Sequence, residues 1–387
     1  MESFSFHNPT KIVFGNGSSG SIGSLVKPFG NRVLLVYGKE SIKKSGLYQK
    51  ICRQLDEQGI KIIEHGGVKS NPCLEHTRKG IKKALSYRAK FIIAAGGGSV
   101  IDEAKAIAAG VGSKADVWDF FLKKSPITKA LPLITILTIP ATGSEMNPNM
   151  VITNEETSEK LGLSDEHLYP RISILDPELT YTIPAQYTAY SAADIISHLI
   201  ESYFTNNGGW TPVQQRYVEG LVKSLIETVE RLMVNPEDNE ARAAMMWCAT
   251  LGGNGLNTAG IGTYSMPCHT LEHPLSAVYD IAHGAGLSII TPTWLSLRLK
   301  DKKDRIARFG REVFGLAQKN DQQAAEETIK ALKNWYVKIG TPVSMKEAGI
   351  YAPNIQQLVS LALKGAKLRR VPELPERFVE KLYQACI

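Results

Sequence analysis

The chain has 387 residues, 43% of them hydrophobic and 21% charged, with a formal net charge of +7. That length exceeds what one hydrophobic core usually serves, so two domains are expected, and the ordinary composition excludes a disordered, fibrous or solenoid protein. The surplus of Lys and Arg is spread along the chain instead of gathered with aromatic residues into one stripe, which argues against nucleic acid as a partner.

The opening segment MESFSFHNPTKIVFGNG lacks a basic stretch followed by an apolar one, and no apolar run approaches the ~18 residues that a membrane span needs. Five cysteines, at 52, 73, 248, 268 and 386, are odd in number, widely spaced and without a C-x-x-C pair, the pattern of reduced thiols. A cytoplasmic protein with no membrane partner is expected.

In chain order, RVLLVYG, KFIIAAGGGS, LPLITILTIPATGSE and RISILDPEL each read as a buried strand closing on turn residues, and helical stretches separate them. Such alternation predicts a parallel α/β sheet. From about Pro184 the apolar residues recur at three and four, as in YTAYSAADIISHLIESYF and VQQRYVEGLVKSLIETVERLM, which predicts helices. The change of period between Pro177 and Pro184 sets the expected division: residues 1–182 form an α/β domain and residues 183–387 an all-helical one.

The first predicted strand ends on Gly38, and Lys39, Ser41, Lys43 and Lys44 follow with donors and positive charge, Glu40 opposing them. NAD-preferring enzymes often place a carboxylate at such a strand end to hold the ribose 2′-hydroxyl, and that charge would repel the 2′-phosphate of NADP. The bland alternative is a solvated loop. In FIIAAGGGSVIDEAK a strand runs into Gly96, Gly97, Gly98 and Ser99 and then into a helix. Glycines let backbone approach a pyrophosphate, and the helix N-terminus stabilises the anion. By itself this is weak, because a tight turn needs glycines too and the G-x-G-x-x-G spacing is not met. LTIPATGSEMN adds a second strand-to-loop transition, with hydroxyls at Thr138, Thr142 and Ser144.

Asp194 and His198 lie four apart on a predicted helix, so they stack on one face, with Glu201 on the same face. Alone, the pair reads better as an ion pair than as two metal ligands. His269, His273 and His283 alter that balance, since imidazole and carboxylate together suit Zn²⁺ or Fe²⁺. Pro274 is expected to interrupt the face shared by His269 and His273, while His283 precedes glycines and could reach in from a loop. Any two of these three histidines could bind, which leaves one for proton transfer. His269, Glu272 and His273 also satisfy H-x-x-E-H, the inverzincin metallopeptidase pattern. That alternative leaves Asp194, His198 and the nucleotide loops unexplained. A non-catalytic nucleotide-binding protein would leave the helical half unexplained.

NPTKIVFGNG, GGGSVIDEAK, PATGSEMN, DPELT, AADIISHLIESYF and CHTLEHPLSAVYDIAH occur in one order, and with them the chain resembles the iron-containing alcohol dehydrogenase family over nearly its whole length. Within it the likeness is to the NADPH-dependent butanol dehydrogenases. The resemblance implies a Rossmann-like N-terminal domain and an all-helical, dehydroquinate synthase-like C-terminal domain, with the active site in the cleft between them. It implies that Asp194, His198, His269 and His283 hold one divalent metal, Fe²⁺ or Zn²⁺, while His273 lies beside it as a non-ligand and candidate catalytic residue. Gly97, Gly98 and Ser99 would then grip the pyrophosphate, with Asp102 in the same motif. Thr138 and Thr142 would line the nicotinamide end, and Asn71, Asn147 and Lys160 would occupy cofactor-side positions. The implied activity is hydride transfer between NADP(H) and small aldehydes or primary alcohols, in a homodimer or larger oligomer. Two departures stand out: YGKES replaces the usual YGGGS, and Pro148 and Asn149 replace small residues.

Overall fold

Continuous apolar runs let the central strands bury side chains on both of their faces. Among the described residues eight strands form: β1 (Lys11–Phe14), β2 (Arg32–Tyr37), β3 (Lys61–His65), β4 (Phe91–Gly97), β5 (Leu133–Ile139), β6 (Asn149–Asn154), β7 (Glu159–Ser164) and β8 (Ile172–Leu175). Six pair in the order β1-β8-β5-β4-β2-β3, every pairing parallel, while β6 and β7 make a separate antiparallel hairpin. Val33, Leu35 and Tyr37 of β2 join Phe91, Ile93 and Ala95 of β4 in one core; Leu34, Val36, Ile92 and Ala94 face another. Helix α1 (Leu47–Asp56) covers the first core with Leu47, Ile51 and Leu55. Helices α2 (Leu74–Tyr87) and α3 (Gly98–Val111) cover the second, where Ile101, Ala104 and Ile107 pack. Each fully buried aliphatic side chain of this kind contributes roughly 1.5–3 kcal/mol.

The predicted strands correspond to β2, β4, β5 and β8. β1 and β3 are the two edges, only partly buried, so their apolar signal is weak.

The computed structural model describes residues 1–371 and 374–387. It divides into two units, one of His7–Ile183 with Glu237–Thr250, the other of Met1–Phe6, Pro184–Pro236 and Leu251–Ile387. Apart from Ile183, a division at 182/183 along the sequence and this one differ at two segments. Glu2 N donates to Gly260 O at 2.9 Å, tying the first residues to the helical unit. Met246 enters the second sheet core and Trp247 meets Phe14 edge-on at 6.0 Å, tying Glu237–Thr250 to the sheet unit.

The helical unit contains α4 (Ala185–Thr205) and α5 (Pro212–Val234). α6 (Asn239–Gly253) carries Met246 and Trp247. There follow α7 (Pro267–Tyr279), α8 (His283–Leu297), α9 (Leu299–Phe314), α10 (Asp321–Lys338), α11 (Ile355–Arg369) and α12 (Glu376–Ala385). Among the described residues no helix is long and apolar enough to cross a membrane.

Candidate functional site

In the helical unit, α4 offers Asp194 and His198 on one face, 3.3 Å apart between Oδ1 and Nδ1. α7 brings His269, whose Nε2 lies 3.1 Å from His198 Nε2 and 3.6 Å from Asp194 Oδ1. His283 Nε2 is 3.8 Å from the same oxygen. Ligands on a tetrahedral cation with bonds near 2.1 Å stand roughly 3.4 Å from one another; Asp194, His198 and His269 each offer one atom within 4.8 Å of the other two, and His283 approaches this group through Asp194 Oδ1. Asp194 Oδ1 is buried and has no hydrogen-bond partner among the described residues. The donor set and that orphaned oxygen fit one divalent cation.

His283 opens α8 instead of lying in a loop. Asp280, left-handed at φ 50°, ends α7, and α8 starts three residues later. A Cβ on Gly284 would collide with the carbonyl of Tyr190, and one on Gly286 would lie 2.6 Å from Glu272 Oε1. Two glycines therefore let α8 press on α4 and α7, which carries His283 to Asp194. α7 itself runs on through Pro274, so His269 and His273 do share a face, against expectation. The helical packing on both sides outweighs the one backbone hydrogen bond that proline forfeits.

Two carboxylates behind the histidines were not assigned their roles from sequence. Glu201 bonds Nδ1 of His269 and also accepts the backbone N–H of Cys268 at 2.6 Å. Glu272 bonds Nδ1 of His283 and accepts from Ser276 Oγ. A carboxylate on Nδ1 fixes the ring and leaves Nε2 as the ligating lone pair. The helical spacing that put Glu201 on the face of Asp194 was the available signal. Glu272 is committed to His283 and Ser276, which removes the free general base that an inverzincin needs.

Burial pushes His198 down to about 4, keeping the ring neutral. For Asp194 burial acts upward, but the neighbouring imidazoles outweigh it and hold the carboxyl well below the usual range. Burial likewise opposes protonation of His269, yet Glu201 and Asp194 raise it to about 9, so cation binding there displaces a proton. His273 groups with Glu272 and His283, one atom of each within 4.8 Å of the other two, its ring 5.6 Å from that of His283. Arg369 Nη2 lies against this ring, 3.0 Å from Nδ1 and 3.4 Å from Nε2.

The sheet unit places the remaining predicted residues. α3 begins at Gly98 directly after β4. A Cβ on Gly98 would collide with Thr142, and one on Gly97 would lie 3.1 Å from Ile139 Cβ, so the two strand-end loops meet backbone to side chain. Ser99 Oγ donates to Ser70 O. Thr138 lies half-buried near the end of β5. Asp102, which burial pushes up to about 6, accepts from Ser144 Oγ at 2.6 Å and Val151 N at 3.0 Å. Asn147 Oδ1 accepts from Asn149 N at 2.9 Å, and Lys160 Nζ donates to Asn71 Oδ1 at 3.0 Å. Lys105, not singled out from sequence, is buried beneath the 142–149 loop. Its ammonium, brought down to about 8 by burial, donates to Ser144 Oγ and Asn147 O at 2.8 Å and to Asn149 O at 2.7 Å. A lysine within the apolar run of α3 was the only signal.

At the end of β2, Gly38 O accepts from Gly67 N at 2.8 Å, and Ser41, Lys39 and Lys44 are exposed. Lys43 lies over the rings of Tyr37 and Tyr48, at 5.4 and 5.5 Å, and both phenols donate to Glu64. One of the expected phosphate donors is therefore engaged within the protein.

One unit with a parallel sheet and glycine-led loops at its strand ends, and another with imidazoles and a carboxylate gathered to fit a cation, define a nucleotide-using metalloenzyme of the dehydrogenase class. The sequence comparisons narrow this. Family models for iron-containing alcohol dehydrogenase and for the C-terminal part of the Fe-containing alcohol dehydrogenase family match residues 9–177 and 188–387. The chain belongs to the iron-containing alcohol dehydrogenase family. It is 40% identical over 368 residues to NADH-dependent butanol dehydrogenase A of Clostridium acetobutylicum, covering 95% of this chain and 94% of that one. It is 31% identical over 362 residues to the NADPH-dependent aldehyde reductase YqhD of Escherichia coli, covering 93% and 92%. The crystal structure of NADH-dependent butanol dehydrogenase A from Thermotoga maritima superposes with a TM-score of 0.96 at 41% identity, over 100% of this chain and 99% of that one.

Proposed function

We propose that the chain reduces small aldehydes to primary alcohols with NADP(H), using a cation held by Asp194, His198, His269 and His283. The coarser statement needs no proposal: the chain is a metal-dependent oxidoreductase that moves a hydride between a nicotinamide cofactor and an alcohol or aldehyde. What carries the ligand assignment is the set of nitrogen and oxygen atoms around Asp194 Oδ1, at 3.3 to 3.8 Å, with Glu201 and Glu272 behind two of the rings. Three imidazoles and one carboxylate accept Fe²⁺ or Zn²⁺. When bound, the cation supplies Lewis-acid stabilisation of negative charge on the substrate oxygen, and the nicotinamide supplies the hydride.

The chain's own residues do the rest. Glu201 and Glu272 hold His269 and His283 in one tautomer. His273, with Arg369 beside its ring, takes up a proton from solvent and passes it to the product oxygen, returning to the neutral imidazole. Gly97, Gly98, Ser99 and the first turn of α3 take the pyrophosphate, Thr138 and Thr142 the nicotinamide end. Asp102, Asn71, Asn147 and Lys160 hold the surrounding loops in shape. Lys39 and Ser41 support the 2′-phosphate of NADP, since no carboxylate directly follows Gly38. The relatives named for NADH make the opposite preference the natural competitor. A cytoplasmic homodimer completes the reading, and sedimentation of the purified protein tests its size.

The deciding assay follows NADPH and NADH oxidation by metal-loaded protein with butanal. A larger kcat/KM for NADPH is expected. Equal or better use of NADH overturns the cofactor proposal, and no turnover with either across a panel of short aldehydes overturns the substrate proposal.

A further inference from the structure

Three side chains that the hydride chemistry does not use converge in the sheet unit. His65 closes β3, His76 sits on α2 and Glu103 on α3. Glu103 Oε1 lies 2.9 Å from His65 Nε2 and 2.6 Å from His76 Nδ1, and the two rings stack with centroids 4.1 Å apart. Glu103 is wholly buried and the His65 side chain 2% exposed, whereas that of His76 is 28% exposed and gives the group its opening to solvent. The second carboxylate oxygen, Oε2, is buried with no hydrogen-bond partner among the described residues.

We propose that His65, His76 and Glu103 form a second divalent-cation site, made of residues distinct from those around Asp194, with water completing the shell. One atom from each side chain lies within 4.8 Å of the other two. Two imidazoles and a carboxylate are the donor set of open zinc sites, in which solvent takes the remaining position. The two ring contacts on Oε1 are ordinary hydrogen bonds, but they leave the equally desolvated Oε2 with nothing among the described residues. A cation drawing on the whole carboxylate resolves that imbalance. Gly80 lets α2 approach closely, since a Cβ there would lie 2.4 Å from Ile107 Cδ1 and 2.9 Å from His65 Nε2. The three ligands come from an edge strand and from two helices on one face of the sheet, so an ion here would fasten β3 to α2 and α3. That role is structural, and it stabilises the folded state by mass action.

The test uses full-length protein stripped with chelator, equilibrated with Zn²⁺, desalted and analysed for zinc by mass spectrometry. The expected zinc content is two per chain in the wild type, one in His269→Ala, one in His76→Ala and none in the double variant. One zinc in the wild type and none in His269→Ala would overturn this site and leave the centre around Asp194 standing. Two zincs retained in His76→Ala would overturn it as well, whereas zinc lost from His76→Ala but kept in His269→Ala would fault the other centre alone. Should His76→Ala fail to fold, carbethoxylation of His76 is mapped in His269→Ala protein with and without Zn²⁺. Protection by zinc is expected, and unchanged labelling overturns the proposal.

Discussion

The two regions that would hold ligands are built on opposite plans. Around Asp194 the donors are side chains, buried and braced by further side chains: Glu201 against His269, Glu272 against His283. At the ends of β4 and β5 the cradle is backbone, made possible by what is missing, since a Cβ on Gly98 would collide with Thr142. A centre of the first kind fails when a ligand is removed. One of the second kind fails when an atom is added. Each should therefore be breakable while the other continues to bind.

The largest effect is expected from His269→Ala, which removes a ligand and leaves Glu201 buried without its imidazole. One equivalent of metal should be lost, with activity falling by more than the ~10²-fold typical of outer partners. Fluorescence titration with NADPH should still show binding, and full metal occupancy would show that the ligand set is wrong. His273→Ala comes next: turnover should drop on the order of 10²–10⁴-fold with metal retained, as expected for a lost proton donor. Loss of metal from that variant would refute its place outside the ligand set. Glu201→Gln and Glu272→Gln should each weaken metal affinity by roughly 10–100-fold, measured by competition with a chelating dye. Wild-type affinity in both would mean that the two carboxylates do not tune the rings. Gly98→Ala reverses the pattern. Overpacking of about 1–3 kcal/mol predicts a rise of roughly 5–160-fold in KM for the cofactor with metal content unchanged, and an unaltered KM would take the pyrophosphate away from this turn.

These differences also decide what was legible in the sequence. His198 four residues after Asp194, and three histidines between 269 and 283, could be read because ligand chemistry lives in residue type and helical spacing. Buried strands were legible in RVLLVY and LITILTI, where apolar residues serve both faces, and illegible in KIVF and KIIEH, which lie at sheet edges. The orienting roles of Glu201 and Glu272 depend on which ring ends up behind which carboxylate, and only packing decides that. Pro274 misled because a local rule was outvoted by tertiary packing on a buried helix. His65, His76 and Glu103 are up to 38 residues apart, with no shared periodicity to announce them.

Lys105 and Asp102 show the same limit from the electrostatic side and supply the smallest predicted effect. Burial raises the Asp102 carboxyl to about 6, although Lys105 and the hydrogen bonds from Ser144 and Val151 favour its charge. Unfolded, such a group titrates near 3.9. Between about pH 4 and pH 6 the folded chain therefore holds the proton that the unfolded chain has released. Protons bound in the unfolded state are then fewer than in the native state, so stability declines as pH rises through this window and levels off above it. The slope is at most ~1.4 kcal/mol per pH unit. Asp102→Asn keeps an acceptor for Val151 N–H but has no proton to exchange, so its urea-unfolding stability in chelator should lack that decline. An equal slope in both proteins would place the titrating group elsewhere and would mean that the base of the 142–149 loop carries its buried charge at no pH-dependent cost.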